Sequence, residues 1–185
     1  MIQYQKAPPN YCSNEFNREY QLAKVLIPKP ITIKAANEFI KSFHRHHRPT
    51  IRNSGRWALA AVDSGGEVVG VVIAGNPVSA TYMDGFTLEL TRLCVKDGAP
   101  KGVCSFLLSK CCSIWRSMGG NRVITYTLES ETGASLRGAG WKLVGAVKPH
   151  KRWTNRTKLD GIERASLKVY EVAKKRWEKE LKEVV

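Results

Sequence analysis

The stretch LTRLCVKDGAPKGVCSFLLSKCCSIW, residues 90–115, joins two apolar runs of different period through a short basic turn that carries glycine. Upstream, TLELTRLCV (87–95) predicts a strand from its apolar and β-branched residues. Downstream, apolar residues recur at helical spacing from about Val103 to Met118, and Gly119–Gly120 marks the stop. A strand that turns tightly into a helix aims several backbone N–H groups at one point, and such a point attracts phosphate. The alternative is a plain strand-to-helix turn in which glycine serves geometry alone.

Working outward, NRVITYTL predicts the next strand, and TGASLRGAGWKLVGAVK predicts a short helix closed by glycine and a last clear strand. On the other side, RWALAAVDSGGEVVGVVIAGNPV reads as a hairpin turning over Asp63–Gly66 and ending near Pro77. TIKAANEFIKSFHRHH places Ile33, Ala36, Ile40 and Phe43 at helical spacing with Thr32 as N-cap. Paired strands followed by alternating helix and strand define an α/β fold with a mixed sheet. The expected division is an irregular basic segment 1–30, a core 31–148 and a basic extension 149–185. In that extension, KKRWE reads as either a helix or a closing strand.

With 185 residues and 43% hydrophobic content, one well-buried core is expected. No apolar run is long enough to span a bilayer and the start lacks a signal-peptide core, so a soluble, cytoplasmic protein is expected. Cys12, Cys94, Cys104, Cys111 and Cys112 are odd in number and form no CxxC pair, which fits reduced, mostly core cysteines and no zinc site. The net charge of +14 is uneven: residues 1–57 carry an excess of +7, residues 58–148 of +2 and residues 149–185 of +5. Basic flanks around a near-neutral core suit a polyanionic partner or a solubilising surface.

The order and spacing of these elements over residues 31–148 resemble the GNAT acyltransferase fold, and TGASLRGAGWKLVG is similar to that family's late helix-to-strand step. The resemblance implies a single domain with a mixed, mostly antiparallel central sheet flanked by helices, and a 149–185 extension that at least partly completes the sheet. It also implies acyl-CoA, acetyl-CoA in particular, or another phosphorylated acyl donor, with APKGVC as the pyrophosphate loop. Gly102 fills the loop's central place and Cys104 its last, whereas Ala99 stands where the family has Gln or Arg. The N–H groups of Gly102, Val103, Cys104 and Ser105 would then converge on phosphate, with Lys101 supplying charge. Backbone N–H groups of Leu93, Cys94 and Val95 would polarise the donor carbonyl where that strand splays from its neighbour. Many members carry a tyrosine on the late helix to protonate the leaving thiolate; here Arg137 stands at that place. Tyr126, on the preceding strand, is the nearest phenol, and strand alternation leaves it either in the cleft or in the core.

FHRHHRP gathers three of the four histidines. If the helix continues through it, His44 and His47 share one face and Arg45 and Arg48 a neighbouring one. Imidazole there suits a general base, a metal ligand or a contact to a base or phosphate, and metal is the weakest because no third ligand is fixed nearby. Together with TLELTRLCV and RVITYTLESETGASLRGAGW, this segment resembles a Mom-like branch of phage DNA-modification proteins. Members of that branch modify adenines to protect DNA against restriction. That resemblance implies a DNA substrate and catalytic roles for His44, His47, Glu89 and Arg92, alongside Tyr126; the alternatives are a CoA-dependent N-acetyltransferase of a protein or small amine and a nucleic-acid-binding protein that keeps the fold without the chemistry. Glu89 or His47 would take the proton from an adenine amine, although a salt-bridged strand carboxylate explains Glu89 equally. Trp57, Trp141 or Tyr126 would stack on a flipped base, and Arg45, His46 and Arg48 would contact DNA. Lys151, Arg152, Trp153 and Arg156 suit phosphate contact and base stacking.

Overall fold

The computed structural model describes residues 25–44, 49–50, 53–149 and 172–181. Seven strands form one sheet: β1 (Ile27–Ile31), β2 (Trp57–Val62), β3 (Val68–Gly75), β4 (Thr87–Val95), β5 (Arg122–Leu128), β6 (Lys142–Val147) and β7 (Lys174–Glu180). Their order is β1-β2-β3-β4-β5-β7-β6. Every neighbouring pair is antiparallel except β4 and β5. Among the described residues three α-helices accompany the sheet: α1 (Ile33–Phe43), α2 (Val103–Ser117) and α3 (Ala134–Gly138).

Strand alternation sorts the core onto two faces. On one, Leu59, Ala61, Val69, Leu88, Leu90, Val123 and Trp177 pack with α2 and α3. The α2 residues Val103, Leu107, Leu108, Cys111, Cys112 and Trp115 supply the opposing apolar stripe. On the other face, Ala58, Ala60, Val62, Val71, Ile73 and Cys94 pack with Ala36 and Ile40 of α1. Thr32 caps α1 by accepting from the Ala35 N–H at 3.1 Å. Cys94, Cys111 and Cys112 are buried, as expected of core cysteines, Cys104 is half-buried, and Cys12 lies outside the described residues.

Two expectations are corrected. The first strand lies within the segment read as irregular: IPKPI pairs with β2 along its whole length. Its two prolines are tolerated because β1 is an edge strand, where missing N–H groups break no second ladder. Helix α1 also stops at Phe43, and His44 is extended at φ −84°, ψ 125°, although its N–H still bonds the Ile40 carbonyl. His44 therefore does not lie on a helical face, and His47 lies outside the described residues.

Trp177 of β7 anchors the far side of the sheet. It is 1% exposed and donates through Nε1 to the Thr127 hydroxyl at 3.0 Å. Gly133 opens α3 at φ +66°, and a Cβ there would sit 2.2 Å from the Trp177 ring. Gly133→Ala should cost about 2 to 4 kcal/mol, from left-handed backbone strain plus overpacking. A urea-denaturation midpoint equal to that of the parent would show that neither applies.

Candidate active site

The distinctive feature of the sheet is where β4 and β5 part. They pair only over Thr87–Leu90 with Arg122–Thr125, while β4 runs on to Val95 against β3 and β5 to Leu128 against β7. At the parting point the Thr125 hydroxyl donates to the Leu90 carbonyl at 2.9 Å. Beyond it, the β5-facing edge of β4 is open. Backbone groups alternate sides along a strand, and the Lys96 N–H is committed to Val69 of β3 at 3.1 Å. The backbones of Leu93 and Val95 consequently face the gap, while that of Cys94 faces β3. Of the three residues named from the resemblance, Leu93 and Val95 turn their backbones to the gap and Cys94 does not.

The mouth of this gap is the start of α2. Gly102 is its N-cap at φ +91°, with no side chain capping the first turn. The space where a Cβ would sit is open. The first-turn N–H groups, which have no intrahelical partners, thus point outward at the positive end of the helix dipole. Gly70 of β3 seats this turn: a Cβ there would meet Val103 at 2.8 Å, so only glycine lets the helix start so close to the sheet. Val103 has its side chain in the core and can contribute only its backbone. Cys104 and Ser105 are half-buried and Lys101 is exposed. Burial pushes the Cys104 thiol up, opposed by a hydrogen bond with Ser135, and the Ser105 hydroxyl donates to the Ser135 carbonyl at 3.3 Å. These bonds tie the cradle to α3. The uncapped turn fits a phosphorylated ligand.

On the α1 face beside the gap lies a cluster of charge. Glu89 of β4 is 6% exposed, and its Oε2 accepts the Val78 N–H at 2.8 Å. Burial raises its pKa above the ordinary 4.5, opposed by that hydrogen bond and by the charges of Arg92 and Lys174. Simple alternation would put Glu89 and Arg92 on opposite faces. The register with β3 jumps from Arg92 opposite Ile73 to Leu90 opposite Ala74, which leaves Thr91 as an extra residue and returns Arg92 to the face of Glu89. The Thr91 hydroxyl donates to the Ile73 carbonyl at 3.2 Å, and Arg92 donates to the Thr91 carbonyl at 2.7 Å.

Tyr126 belongs to the same face. It lies one residue past the parting point, half-buried, with Val123 and Thr127 turned the other way toward the α2 core. Burial, then the charges of Glu89 and Glu178, push its phenol up to about 12. From β7, Lys174, Arg176 and Glu178 share this face. Burial and Arg92 lower the Lys174 pKa, and Glu89 opposes them. Sequence reasoning did not find Lys174, Arg176 or Thr91, because neither the crossover that inserts β7 nor the bulge has a local signature. Arg137 lies over the Trp177 ring at 5.6 Å. Trp141 is buried in the core, and Trp57 packs on the α2 side, so neither presents a stacking face beside Glu89. Arg45, His46, His47, Arg48, Lys151, Arg152, Trp153 and Arg156 lie outside the described residues. His44, half-buried, ends α1. Among the described residues no group of three His, Cys, Asp or Glu side chains could hold a metal, and no helix is long and apolar enough to cross a membrane.

Solved structures with this architecture are acetyltransferases of the GNAT fold. An IAA acetyltransferase from Bacillus cereus is 16% identical, with a TM-score of 0.60 over 85% of this chain and 100% of its own. A GNAT-superfamily phosphinothricin acetyltransferase from Sinorhizobium meliloti, in complex with AcCoA, is 17% identical, with a TM-score of 0.58 over 84% and 88%. The ribosomal-protein-S18-alanine N-acetyltransferase of Escherichia coli is 10% identical, with a TM-score of 0.59 over 87% and 97%. At these identities the likeness establishes the fold alone, and that fold is GNAT-like. No protein-family model and no curated protein matches its sequence.

Proposed function

We propose that the protein is an acyl-CoA-dependent N-acyltransferase, with acetyl-CoA as donor. The observation that carries this reading is the gap between β4 and β5, which has an uncapped helix start at its mouth and a buried carboxylate, Glu89, at its side. Neighbours of this fold are acetyltransferases, and one is in complex with AcCoA. The donor brings a thioester carbonyl open to attack. The first turn of α2, with Lys101, holds its phosphates, and the Leu93 and Val95 backbone N–H groups polarise the carbonyl. The acceptor nitrogen attacks the carbonyl carbon, a C–N bond forms, and the C–S bond breaks. Glu89 takes the proton lost by nitrogen, and its raised pKa makes it a better match to an amine. Tyr126, protonated at neutral pH, gives its proton to the departing thiolate.

A second reading makes the acceptor the exocyclic amine of adenine in DNA. It is favoured by the +14 net charge and by Arg92 and Lys174 standing on the acceptor face, beside Glu89. One experiment separates the two. The full chain is incubated with acetyl-CoA and with a polyamine, a lysine-bearing peptide or duplex DNA; released thiol is measured, and the products are weighed by mass spectrometry. Thiol release that requires an amine, with the mass gain on that amine, supports the first reading. A mass gain on deoxyadenosine supports the second. Thiol release that no acceptor stimulates counts against both.

A further inference from the structure

The loop between β3 and β4, residues 76–86, crosses the charged face and meets it at Val78 and at Tyr82. Inside, the Val78 N–H is the donor to Glu89 at 2.8 Å, while the Val78 side chain is 58% exposed. Four residues on, two guanidinium groups approach the Tyr82 ring, Arg176 of β7 at 5.0 Å from its centroid and Arg122 of β5 at 5.7 Å. Arg176 also donates to the Tyr82 hydroxyl. Each guanidinium is itself held: Arg176 by Glu178 at 3.0 Å and Arg122 by Asp84 at 2.9 Å. The stretch between the two points is a tight 3-10 turn, Ala80–Tyr82, closed by Tyr82 N–H to the Ser79 carbonyl and Met83 N–H to the Ala80 carbonyl. A turn this short transmits the position of Tyr82 to Val78.

We infer that Tyr82 and Arg176 are positioning residues: by clamping the β3–β4 loop onto β5 and β7, they keep the Val78 N–H on the Glu89 carboxylate and so fix the orientation of the group that accepts the proton. This rests on the acyltransferase reading for its catalytic consequence but not for its geometry. Two features make a clamp the better account than incidental packing. The aromatic ring is held by cations from two strands at once, and cation–π contacts combined with a hydrogen bond order a side chain more than either does alone. The loop is also held at its ends, where Asn76 accepts from the Arg56 side chain at 2.6 Å, Pro77 is buried and the Phe86 carbonyl accepts from Trp115 at 2.9 Å, but from Val78 to Phe86 Tyr82 is the one residue that is not exposed.

The test uses Tyr82→Ala and Tyr82→Phe in the full chain, neither of which changes charge beside Glu89. Amide exchange at Val78, followed by NMR, should speed up at least about tenfold in Tyr82→Ala. Exchange at Arg56, whose N–H bonds the Ala74 carbonyl at 2.7 Å in the ladder, should not change. Tyr82→Phe keeps the ring beside the guanidiniums and should lie between the parent and the alanine variant. In acyl transfer, kcat should fall in the same order while KM for acetyl-CoA stays put. Unchanged Val78 exchange, or equal acceleration at Arg56, would overturn the clamp. Faster Val78 exchange with an unaltered kcat would overturn its role in positioning Glu89. Absence of acyl transfer in the parent would overturn the acyltransferase reading and leave the exchange result to decide the clamp.

Discussion

Glu89→Gln is expected to lower kcat for acyl transfer by about two to four orders of magnitude, the range that a positioned general base contributes, with acetyl-CoA affinity unchanged. The amide oxygen can still accept the Val78 N–H, so geometry is preserved and only proton acceptance is lost. The same substitution should not weaken the fold. Because burial raises the folded pKa of Glu89 above 4.5, the native state binds that proton more tightly than the unfolded chain does. The parent therefore loses stability as pH rises from 4.5 through the raised value, and the glutamine variant is free of that loss. Denaturation at pH 7 and at pH 4 should show the variant at least as stable as the parent at pH 7, with the advantage gone at pH 4. A marked loss of stability at pH 7 would instead make Glu89 a structural ion-pair residue of Arg92 and Lys174.

The second large effect is expected at the mouth of the gap. Gly102→Glu should weaken acetyl-CoA binding at least about tenfold, equivalent to about 1.4 kcal/mol. A carboxylate there can fold back onto the first-turn N–H groups of α2 and occupy the place a phosphate would take. Gly102→Ala is the control, since it shares the backbone strain of φ +91° without the charge and meets no atom within 4 Å. It should cost about 1 kcal/mol of stability and much less affinity than the glutamate. Equal donor affinities in the two variants, measured by calorimetry, would remove the phosphate cradle from the account.

Much of the central architecture was legible because its apolar residues face the core on one side of the sheet or the other. TLELTRLCV is a strand over the predicted 87–95, and the helix predicted over 103–118 spans Val103–Ser117. What escaped the sequence did so where function or topology overrides pattern. The extension was expected to complete part of the sheet, but a helix and a closing strand around KKRWE could not be told apart: the strand Lys174–Glu180 carries one buried apolar residue, Trp177, because its opposite face holds the charged side chains of the site, and a strand that lines a polar cleft lacks the alternation that reveals strands. Its insertion between β5 and β6 is a long-range pairing that no local spacing encodes. The bulge at Thr91 is similarly silent, yet it alone brings Arg92 to the side of Glu89. In the histidine segment the helical period was extended past Phe43, where the apolar positions that hold α1 on the sheet end.

Calorimetric titration of acetyl-CoA into the full chain tests the central claim most directly, because the acyltransferase proposal rests on the gap between β4 and β5 and the uncapped start of α2 as the donor's site. The account predicts saturable binding at one site per chain, competed by CoA, weakened in Gly102→Glu and retained in Glu89→Gln. Absence of binding by acetyl-CoA and by CoA, or binding that Gly102→Glu leaves intact, would contradict it.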